Sequence, residues 1–285
     1  PLYNKADYIA ETLKSVLNQT YCDYEVIVVN DSSTDNSLEV ASSFQDERIH
    51  IYTKENEGVS AARNYGIMHA KYDYIAFLDA DDIWESDYLE CQKKLIGTYP
   101  DAGIYSTAFY SLEKRKRKLR NVLINEHIHF LVHDYFKESV MNGLSICWTS
   151  SLCLKKEVIK EIPMFRVGIK RGEDLDLWLR IALNYDVAYL NLPKVFYRTG
   201  LSDSLTSDYS KNGEFPYYEW FNFTSESSYY RKYVILVVYI HAKNAFIHHD
   251  YDTCLAELWS VKTIAWRFKW AERLLLLVIS WIKSK

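Results

Sequence analysis

The first hundred residues alternate between short apolar runs and segments whose apolar positions follow helical spacing. Ile9, Leu13 and Val16 recur at i, i+4 and i+7, which predicts an amphipathic helix. The apolar run from Tyr24 to Val29 predicts a buried strand. By the same criteria, further helices are predicted at 38–44, 59–70 and 89–99, and further strands at 48–53, 72–78 and 103–112. Strands that alternate with helices of this length indicate an α/β fold with a mostly parallel, Rossmann-like sheet.

The pattern becomes less regular beyond residue 112. A strand followed by a helix is predicted at 148–159, a helix at 172–183, and mainly helical structure from Tyr229 onward. We therefore expect an α/β domain at 1–210 and a mainly helical extension at 211–285. Because the first helix begins within a few residues of Pro1, a first strand is expected on the amino side of Pro1.

Three carboxylates follow the strand predicted at 72–78, namely Asp79, Asp81 and Asp82. Closely spaced like charges repel and are costly to remove from water, so packing alone does not favour them. Mg²⁺ and Mn²⁺ prefer oxygen ligands and complete their shells with substrate phosphates. The segment therefore indicates either a metal–diphosphate site or a solvated acidic turn. Asp31 follows another predicted strand, and ligands of α/β proteins bind at such strand ends.

Composition narrows the classes of function. A net charge of −4 gives no overall basis for nucleic-acid binding. Five cysteines without a CxxC pair fit a reducing compartment, and they argue against a disulfide framework or a thiolate zinc site. No apolar run reaches the roughly 18 residues that cross a bilayer, so a cytoplasmic protein is expected.

Three further segments each have two interpretations. The basic run from Lys114 to Lys118, with Arg120, is either a solvated hairpin tip or a contact to an anionic acceptor or acidic lipid surface. Glu173 and Asp174 begin a predicted helix, where the helix dipole stabilises carboxylates by a few tenths to about 1 kcal/mol; alternatively, one of them is a general base. Residues 274–282 suit either an interfacial helix on an anionic membrane or a helix packed on this domain or on a second copy.

Several stretches carry a family resemblance in the order Pro1–Lys5, Val28–Asp35, Asn56–Asn64, Phe77–Asp82 and Gly172–Arg180. Together they resemble glycosyltransferase family 2, inverting nucleotide-sugar enzymes with the GT-A fold, over about residues 1–200. Phe77–Asp82 matches the family's DXD motif, and Gly172–Arg180 matches its ED motif. Ser32 stands where glycine is commoner in the family.

The resemblance implies a role for each matching residue. It assigns the nucleotide-sugar pocket to Pro1, Tyr3, Asp31, Asn56, Arg63, Asp79 and Arg198. Asp31 would accept a hydrogen bond from the uracil N3–H of a UDP-sugar, and Arg63 would bind the diphosphate. Asp81 would be the direct ligand of Mn²⁺ or Mg²⁺, with Asp82 as a weaker candidate.

The same resemblance assigns the general base to Asp174, with Glu173 orienting it. A hydroxyl is a poor nucleophile, so a carboxylate within hydrogen-bond reach contributes ~10²–10⁴ in rate. The metal would stabilise the departing diphosphate. The remaining acidic residues, Asp176 among them, are expected on the helix surface.

One position departs from the family pattern. Many members have a histidine shortly after a Tyr-Arg pair, where it helps to bind the metal or the diphosphate. Here Tyr197-Arg198 leads to Gly200. Either the metal has fewer protein ligands, or the 201–210 loop supplies another.

The sequence thus predicts a metal-dependent inverting glycosyltransferase that moves a sugar from a UDP-sugar to a glycan or lipid-linked glycan in bacterial surface polysaccharide synthesis. The protein is expected in the cytoplasm or at the cytoplasmic face of the inner membrane, which the C-terminal helix would contact. It could also form a homo-oligomer. A catalytically silent nucleotide-sugar-binding module is the alternative. A nucleotidyltransferase is disfavoured because no glycine- and basic-rich phosphate loop lies near the start.

Overall fold

The structure is a computed structural model that describes residues 1–113, 116–143, 145–169, 171–201, 220, 224–247, 250 and 254. Its helices are α1 (Ala6–Leu17), α2 (Ser37–Ser42), α3 (Val59–His69), α4 (Tyr88–Thr98), α5 (Tyr135–Asn142), α6 (Val158–Glu161), α7 (Glu173–Ala182) and α8 (Tyr230–Ile247). Its strands are β1 (Val26–Asn30), β2 (Ile49–Thr53), β3 (Tyr74–Ala76), β4 (Ile83–Trp84), β5 (Ile104–Glu113), β6 (Lys116–Arg120), β7 (His129–Val132), β8 (Leu152–Lys155) and β9 (Val187–Arg198).

The amino-terminal layer follows the predicted βαβ pattern. β1 pairs with β2 in parallel, with Val26 opposite Ile49, and α2 forms the connection between them. In α1 the predicted apolar positions Ile9 and Leu13 are buried, and they pack against β1 in a small core. The helical spacing of apolar residues thus predicts α1 correctly. Its single apolar stripe is the face that covers the two-stranded sheet.

The main sheet departs from the predicted strand directions. Its strands run in the order β3-β8-β5-β9-β4, with β6 added to β5 and β7 added to β9. Within this sheet β5 and β9 pair in parallel, whereas the other described pairs are antiparallel. The α/β class is as predicted, but the sheet is mixed rather than mostly parallel. Apart from β5 and β6, the strands of each antiparallel pair are separated in sequence by at least one helix, and an apolar run that predicts a strand does not record its direction.

A cavity of about 480 Å³ lies between β1 and β3. Its lining is mainly apolar and includes Val28 of β1 and Ile75 of β3. Leu2 forms a parallel bridge to Asn30 on β1, where the Leu2 N–H donates to the Val29 carbonyl at 2.8 Å. Pro1 lines the cavity, so the strand position that Leu2 occupies borders this space. The strand expected before Pro1 stays a prediction.

The helical extension shares the core of the α/β domain where it is described. Tyr233 of α8 and Tyr135 of α5 place their hydroxyls 3.0 Å apart, and the rings of Tyr230 and Phe136 meet edge to face at 4.8 Å. Among the described residues, no helix combines the length and apolar character needed to cross a membrane. The apolar segment 274–282 and the loop 202–210 lie outside the described residues.

Candidate functional site

The three carboxylates after β3 have different environments. Asp79 and Asp81 keep 29% and 16% of their side chains exposed, whereas Asp82 is fully buried. Asp82 accepts hydrogen bonds from the Ser150 hydroxyl at 2.6 Å and from the Arg198 backbone N–H at 3.0 Å. Burial and the two neighbouring carboxylates raise its pKa well above the usual range. Asp82 therefore joins the DXD segment to β9 and faces away from solvent, which is a poor position for a metal ligand.

Arg63 connects the two acidic motifs. Its side chain is 4% exposed on α3, donating from Nη2 to Asp79 Oδ1 at 2.8 Å and from Nη1 to Glu173 Oε1 at 2.7 Å. The guanidinium also lies over the Phe165 ring, 5.2 Å from its centroid. A planar guanidinium with fixed donors suits this bridging role better than an ammonium. Arg63 thereby holds the end of β3 against the start of α7.

Glu173 and Asp174 occupy the first turn of α7, as predicted, but only one of them is available to a ligand. Glu173 is buried and bound to Arg63; burial and the adjacent Asp174 raise its pKa to about 7. Asp174 is half-buried and accepts a hydrogen bond from the Thr149 hydroxyl at 2.9 Å. Its other oxygen accepts from the Leu175 N–H at 2.7 Å, so the helix start fixes its orientation.

Lys5 is a site residue that the sequence interpretation missed. Its ammonium lies 3.0 Å from Asp81 Oδ2. Burial and the neighbouring Asp79 nonetheless raise the pKa of Asp81 above its usual range. Among the described residues, no group of three or more His, Cys, Asp or Glu side chains could hold a metal ion. The Asp81 carboxylate fits a divalent cation whose other ligands are water and diphosphate oxygens, as is common for Mg²⁺. Such a cation would require the Lys5 ammonium to move away from Asp81.

The expected base pocket lies at the end of β1. Asp31 is 3% exposed and accepts hydrogen bonds from Lys54 Nζ at 3.0 Å and from the Gly58 N–H at 2.8 Å. Asp31 also accepts from the Glu57 N–H at 3.2 Å, which leaves about one of the four acceptor positions of a carboxylate open. Asn56 is exposed within this loop. Asp31 therefore organises the 54–58 loop.

Pro1 and Tyr3 flank Leu2, whose carbonyl accepts a hydrogen bond from the Asp31 N–H at 2.9 Å. Tyr3 is 46% exposed, so its ring is available to stack on a base. Ser32 has φ of 56°, a left-handed conformation that side chains disfavour. This conformation explains why glycine is commoner at that position of the family.

Arg198 lies at the end of β9, where its guanidinium contacts the DXD segment. Nη1 donates to the Asp81 carbonyl at 2.5 Å, and Nη2 pairs with Glu11 of α1. The guanidinium lies over the Tyr8 ring at 5.4 Å. Gly200, which replaces the family's histidine, follows with φ of 75°. Arg198 thus joins the site through backbone contacts at Asp81.

One expectation about α7 is wrong. Asp176 was expected on the helix surface, but it is fully buried. It forms an ion pair with Arg180 at 2.8 Å and accepts a hydrogen bond from Trp220 Nε1 at 2.8 Å. The helical extension and the turn before α7 cover this face of α7. The pattern of residues within one helix does not show which distant segments pack against it.

Thr149 and Ser150 are the other contributors that motif reasoning missed. They lie in a short 3-10 helix, Thr149–Ser151, in which all three side chains are buried. Buried hydroxyls require hydrogen-bond partners, so a run of three hydroxyl residues between apolar segments was the available signal. Their partners are the carboxylates of Asp174 and Asp82.

The sequence matches the model of the family described as "Glycosyl transferase family 2" over residues 1–162. It is 32% identical over 192 residues to TuaG, a glycosyltransferase assigned to teichuronic acid biosynthesis in Bacillus subtilis, covering 66% of this chain and 72% of TuaG. The match covers 29% of the length of each of two longer curated relatives.

Solved glycosyltransferase structures share the fold. S. aureus TarS 1–349 in complex with UDP-GlcNAc superposes with a TM-score of 0.65 at 16% identity, covering 84% of this chain and 64% of TarS. The mannosyltransferase PcManGT from Pyrobaculum calidifontis, in complex with GDP-Man and Mn²⁺, gives a TM-score of 0.58 at 17% identity, covering 97% of this chain and 79% of PcManGT. The α/β architecture is therefore that of GT-A glycosyltransferases.

Proposed function

The chain belongs to glycosyl transferase family 2, and we propose that it moves a sugar from a UDP-sugar to an acceptor hydroxyl with inversion, in the synthesis of a bacterial surface polysaccharide. The observation that carries the proposal is the Arg63 bridge between Asp79 and Glu173, at 2.8 and 2.7 Å. It supports one site built from the DXD and ED motifs, although Arg63 and Glu173 are 110 residues apart in sequence. A donor diphosphate beside Asp79 would then lie near the start of α7.

We assign the general base to Asp174. Its carboxylate is half-buried, is oriented by the Thr149 hydroxyl and is next to Glu173, whose own charge is engaged by Arg63. Asp174 would accept the acceptor hydroxyl's proton while that oxygen attacks the anomeric carbon and the bond from that carbon to the UDP oxygen breaks. Because the base acts on the acceptor and the positive charges act on the leaving group, no covalent glycosyl-enzyme is needed.

The leaving diphosphate would be held by Lys5 and by Mn²⁺ or Mg²⁺ at Asp81. Arg63 is 4% exposed and bonded to Asp79 and Glu173, so we assign it the positioning of Asp79 rather than the phosphate contact expected from the sequence. A divalent cation bound at Asp81 would neutralise charge on the departing UDP. Lys5 now occupies Asp81 Oδ2, so the ammonium would move toward a phosphate oxygen when a cation binds. The Mn²⁺ in the PcManGT complex supports this part of the proposal by analogy of fold.

The donor and acceptor classes follow from the relatives and from the pocket. TarS is described with UDP-GlcNAc, and TuaG is assigned to teichuronic acid biosynthesis; both support a UDP-sugar and a surface-glycan acceptor here. Asp31 retains about one acceptor position for a uracil N3–H, and the exposed ring of Tyr3 could stack on the base. Cys22, Cys91, Cys147 and Cys153 are not in disulfides, which supports reaction in the reducing cytoplasm.

Asp174→Asn tests the assignment of the base. We expect UDP binding, measured by calorimetry, to be retained and sugar transfer to fall about 10²–10⁴-fold. Asp186→Asn is the matched control because this carboxylate pairs with His133, outside the residues assigned to the site, and its transfer rate should be unchanged. Transfer at the wild-type rate in Asp174→Asn would remove Asp174 from the mechanism.

A panel of UDP-sugars with Mn²⁺ tests the function itself. Transfer or metal-dependent donor hydrolysis with at least one sugar is the expected result. Tight UDP-sugar binding without either reaction across the whole panel would instead favour a catalytically silent nucleotide-sugar-binding module.

A further inference from the structure

The β5–β6 hairpin carries a strip of exposed cations. β6 pairs with β5 and lies off the main strand order of the sheet, and all five of its residues are exposed. Four of those five are basic, namely Lys116, Arg117, Lys118 and Arg120. Charged residues commonly protect an edge strand from pairing with another chain, so the cations alone have a structural explanation.

Aliphatic side chains are exposed on β6 and in the segment that follows it, which edge protection does not explain. Ile124 is 100% exposed and Ile128 is 60% exposed. Leu119 and Val122 are 48% and 43% exposed. Single exposed apolar residues are ordinary on protein surfaces, but neighbouring groups of them mark sites of interaction. Here four occur between positions 119 and 128, one within the cationic strand and three just after it.

This segment is fixed to the protein at several points. The Leu123 N–H donates to Asn191 Oδ1 and the Leu123 carbonyl accepts from Asn191 Nδ2, both at 2.8 Å. The Asn191 N–H donates to the Ile128 carbonyl at 2.7 Å, and Asn142 Nδ2 donates to Asn121 Oδ1 at 3.0 Å. Asn191 of β9 holds the backbone at Leu123 and Ile128, and Asn142 of α5 holds the Asn121 side chain, so these hydrogen bonds fix the loop that carries the exposed aliphatic side chains.

We propose that residues 116–128 form a docking surface for an anionic lipid bilayer. Each Lys or Arg near an anionic membrane contributes attraction that salt screens, and aliphatic side chains at the headgroup boundary add binding that salt does not screen. The chain as a whole has a net charge of −4, so the attraction is local to this surface. A soluble polyanion would use the cations but would leave Ile124 and Ile128 in water, and this difference favours a bilayer.

The docking surface adjoins the candidate active site. Leu112 of β5 pairs with Arg117 on one side and with Arg198 on the other. Arg198 in turn contacts the Asp81 carbonyl. A bilayer bound at residues 116–128 would therefore lie beside the site, where an acceptor anchored in that bilayer could reach it. The docking proposal itself does not depend on the proposed function.

Vesicle co-sedimentation with the full chain tests the proposal. The probes are phosphatidylcholine vesicles and phosphatidylcholine vesicles containing about one third phosphatidylglycerol. Wild type should bind the anionic vesicles and should bind the neutral ones far more weakly. At about 1 kcal/mol per basic residue, Lys116→Gln with Lys118→Gln should weaken binding about 30-fold, and Ile124→Ser with Ile128→Ser should weaken it at least about tenfold.

Lys93→Gln with Lys94→Gln is the matched control, because it removes two exposed lysines from α4 and should leave binding unchanged. Any contribution of residues 274–282 is common to all variants and cancels in the comparison. Thermal unfolding of each variant checks that the fold is intact. Equal binding to both vesicle types, or no binding by wild type, would overturn the proposal. Full binding by the isoleucine variant with loss in the lysine variant would identify a polyanion-binding strip instead.

Discussion

Arg63 is the most informative residue to change, because it is a buried cation between two carboxylates. Arg63→Met keeps much of the side-chain volume and removes the charge. The substitution breaks contacts of 2.7 Å to Glu173 and 2.8 Å to Asp79 at a side chain that is 4% exposed. It leaves Glu173, itself 12% exposed at the side chain, without its cation.

The expected cost follows from these contacts. At an effective dielectric constant of about 20, each pair is worth about 6 kcal/mol of Coulomb energy before desolvation. Desolvation of the three groups offsets most of that gain, and breaking a buried pair by removing one partner costs about 3–5 kcal/mol. Glu173 can relieve part of the cost by binding a proton, since its pKa is already raised to about 7. We therefore expect a loss of about 3 kcal/mol near neutral pH, increasing as pH rises.

Urea unfolding of wild type and Arg63→Met measures this loss. The midpoint of thermal unfolding should fall by roughly 6–12 °C. Adding Glu173→Gln to Arg63→Met should restore part of the stability, because it removes a buried charge that has lost its partner. Arg48→Met is the control: Arg48 is 26% exposed and pairs with Asp46, two residues away in sequence, so about 1 kcal/mol is expected. A loss below 1 kcal/mol for Arg63→Met would refute the inference that this bridge holds β3 against α7.

Three further changes test other parts of the structure. The pKa of Glu173 is about 7 in the folded protein against a reference value of 4.5, so Glu173 contributes stability that is fully present below pH 4.5 and is lost as pH rises through 7. In urea unfolding across that pH range, wild type should lose on the order of 3 kcal/mol relative to Glu173→Gln. Parallel pH profiles for the two proteins would contradict the raised pKa. Lys5→Met should bind Mn²⁺ at least about fivefold more tightly without donor, since the ammonium that competes at Asp81 is removed; unchanged affinity in a Mn²⁺ titration would exclude this competition. Five alternating valine and threonine residues added before Pro1 should form a strand that continues from Leu2 and fills the 480 Å³ cavity between β1 and β3. This variant should therefore unfold at a temperature several degrees higher than one with a Gly/Ser extension of equal length. Equal melting temperatures would count against a strand at this position.

The sequence by itself determined the local elements and the order of the motifs. The apolar stripe of α1, the buried run of β1 and the acidic start of α7 lie where the pattern places them. These features depend on neighbours a few positions apart, and periodicity records such neighbours directly. The succession of matching stretches likewise identified the family and nominated Asp79, Asp81 and Asp174.

Only the tertiary structure decided what each of those carboxylates faces. Asp82 is buried against Ser150 and Arg198, which lie 68 and 116 positions away in sequence. Asp176 is buried against Trp220, which lies 44 positions away. Long-range contacts also determine the directions of the main-sheet strands. The Lys5–Asp81 ion pair and the Arg63 bridge are further contacts of this kind. Burial and charge partners determine whether a carboxylate binds a cation, accepts a proton or holds the fold together. Those partners come from distant segments that a local pattern does not record.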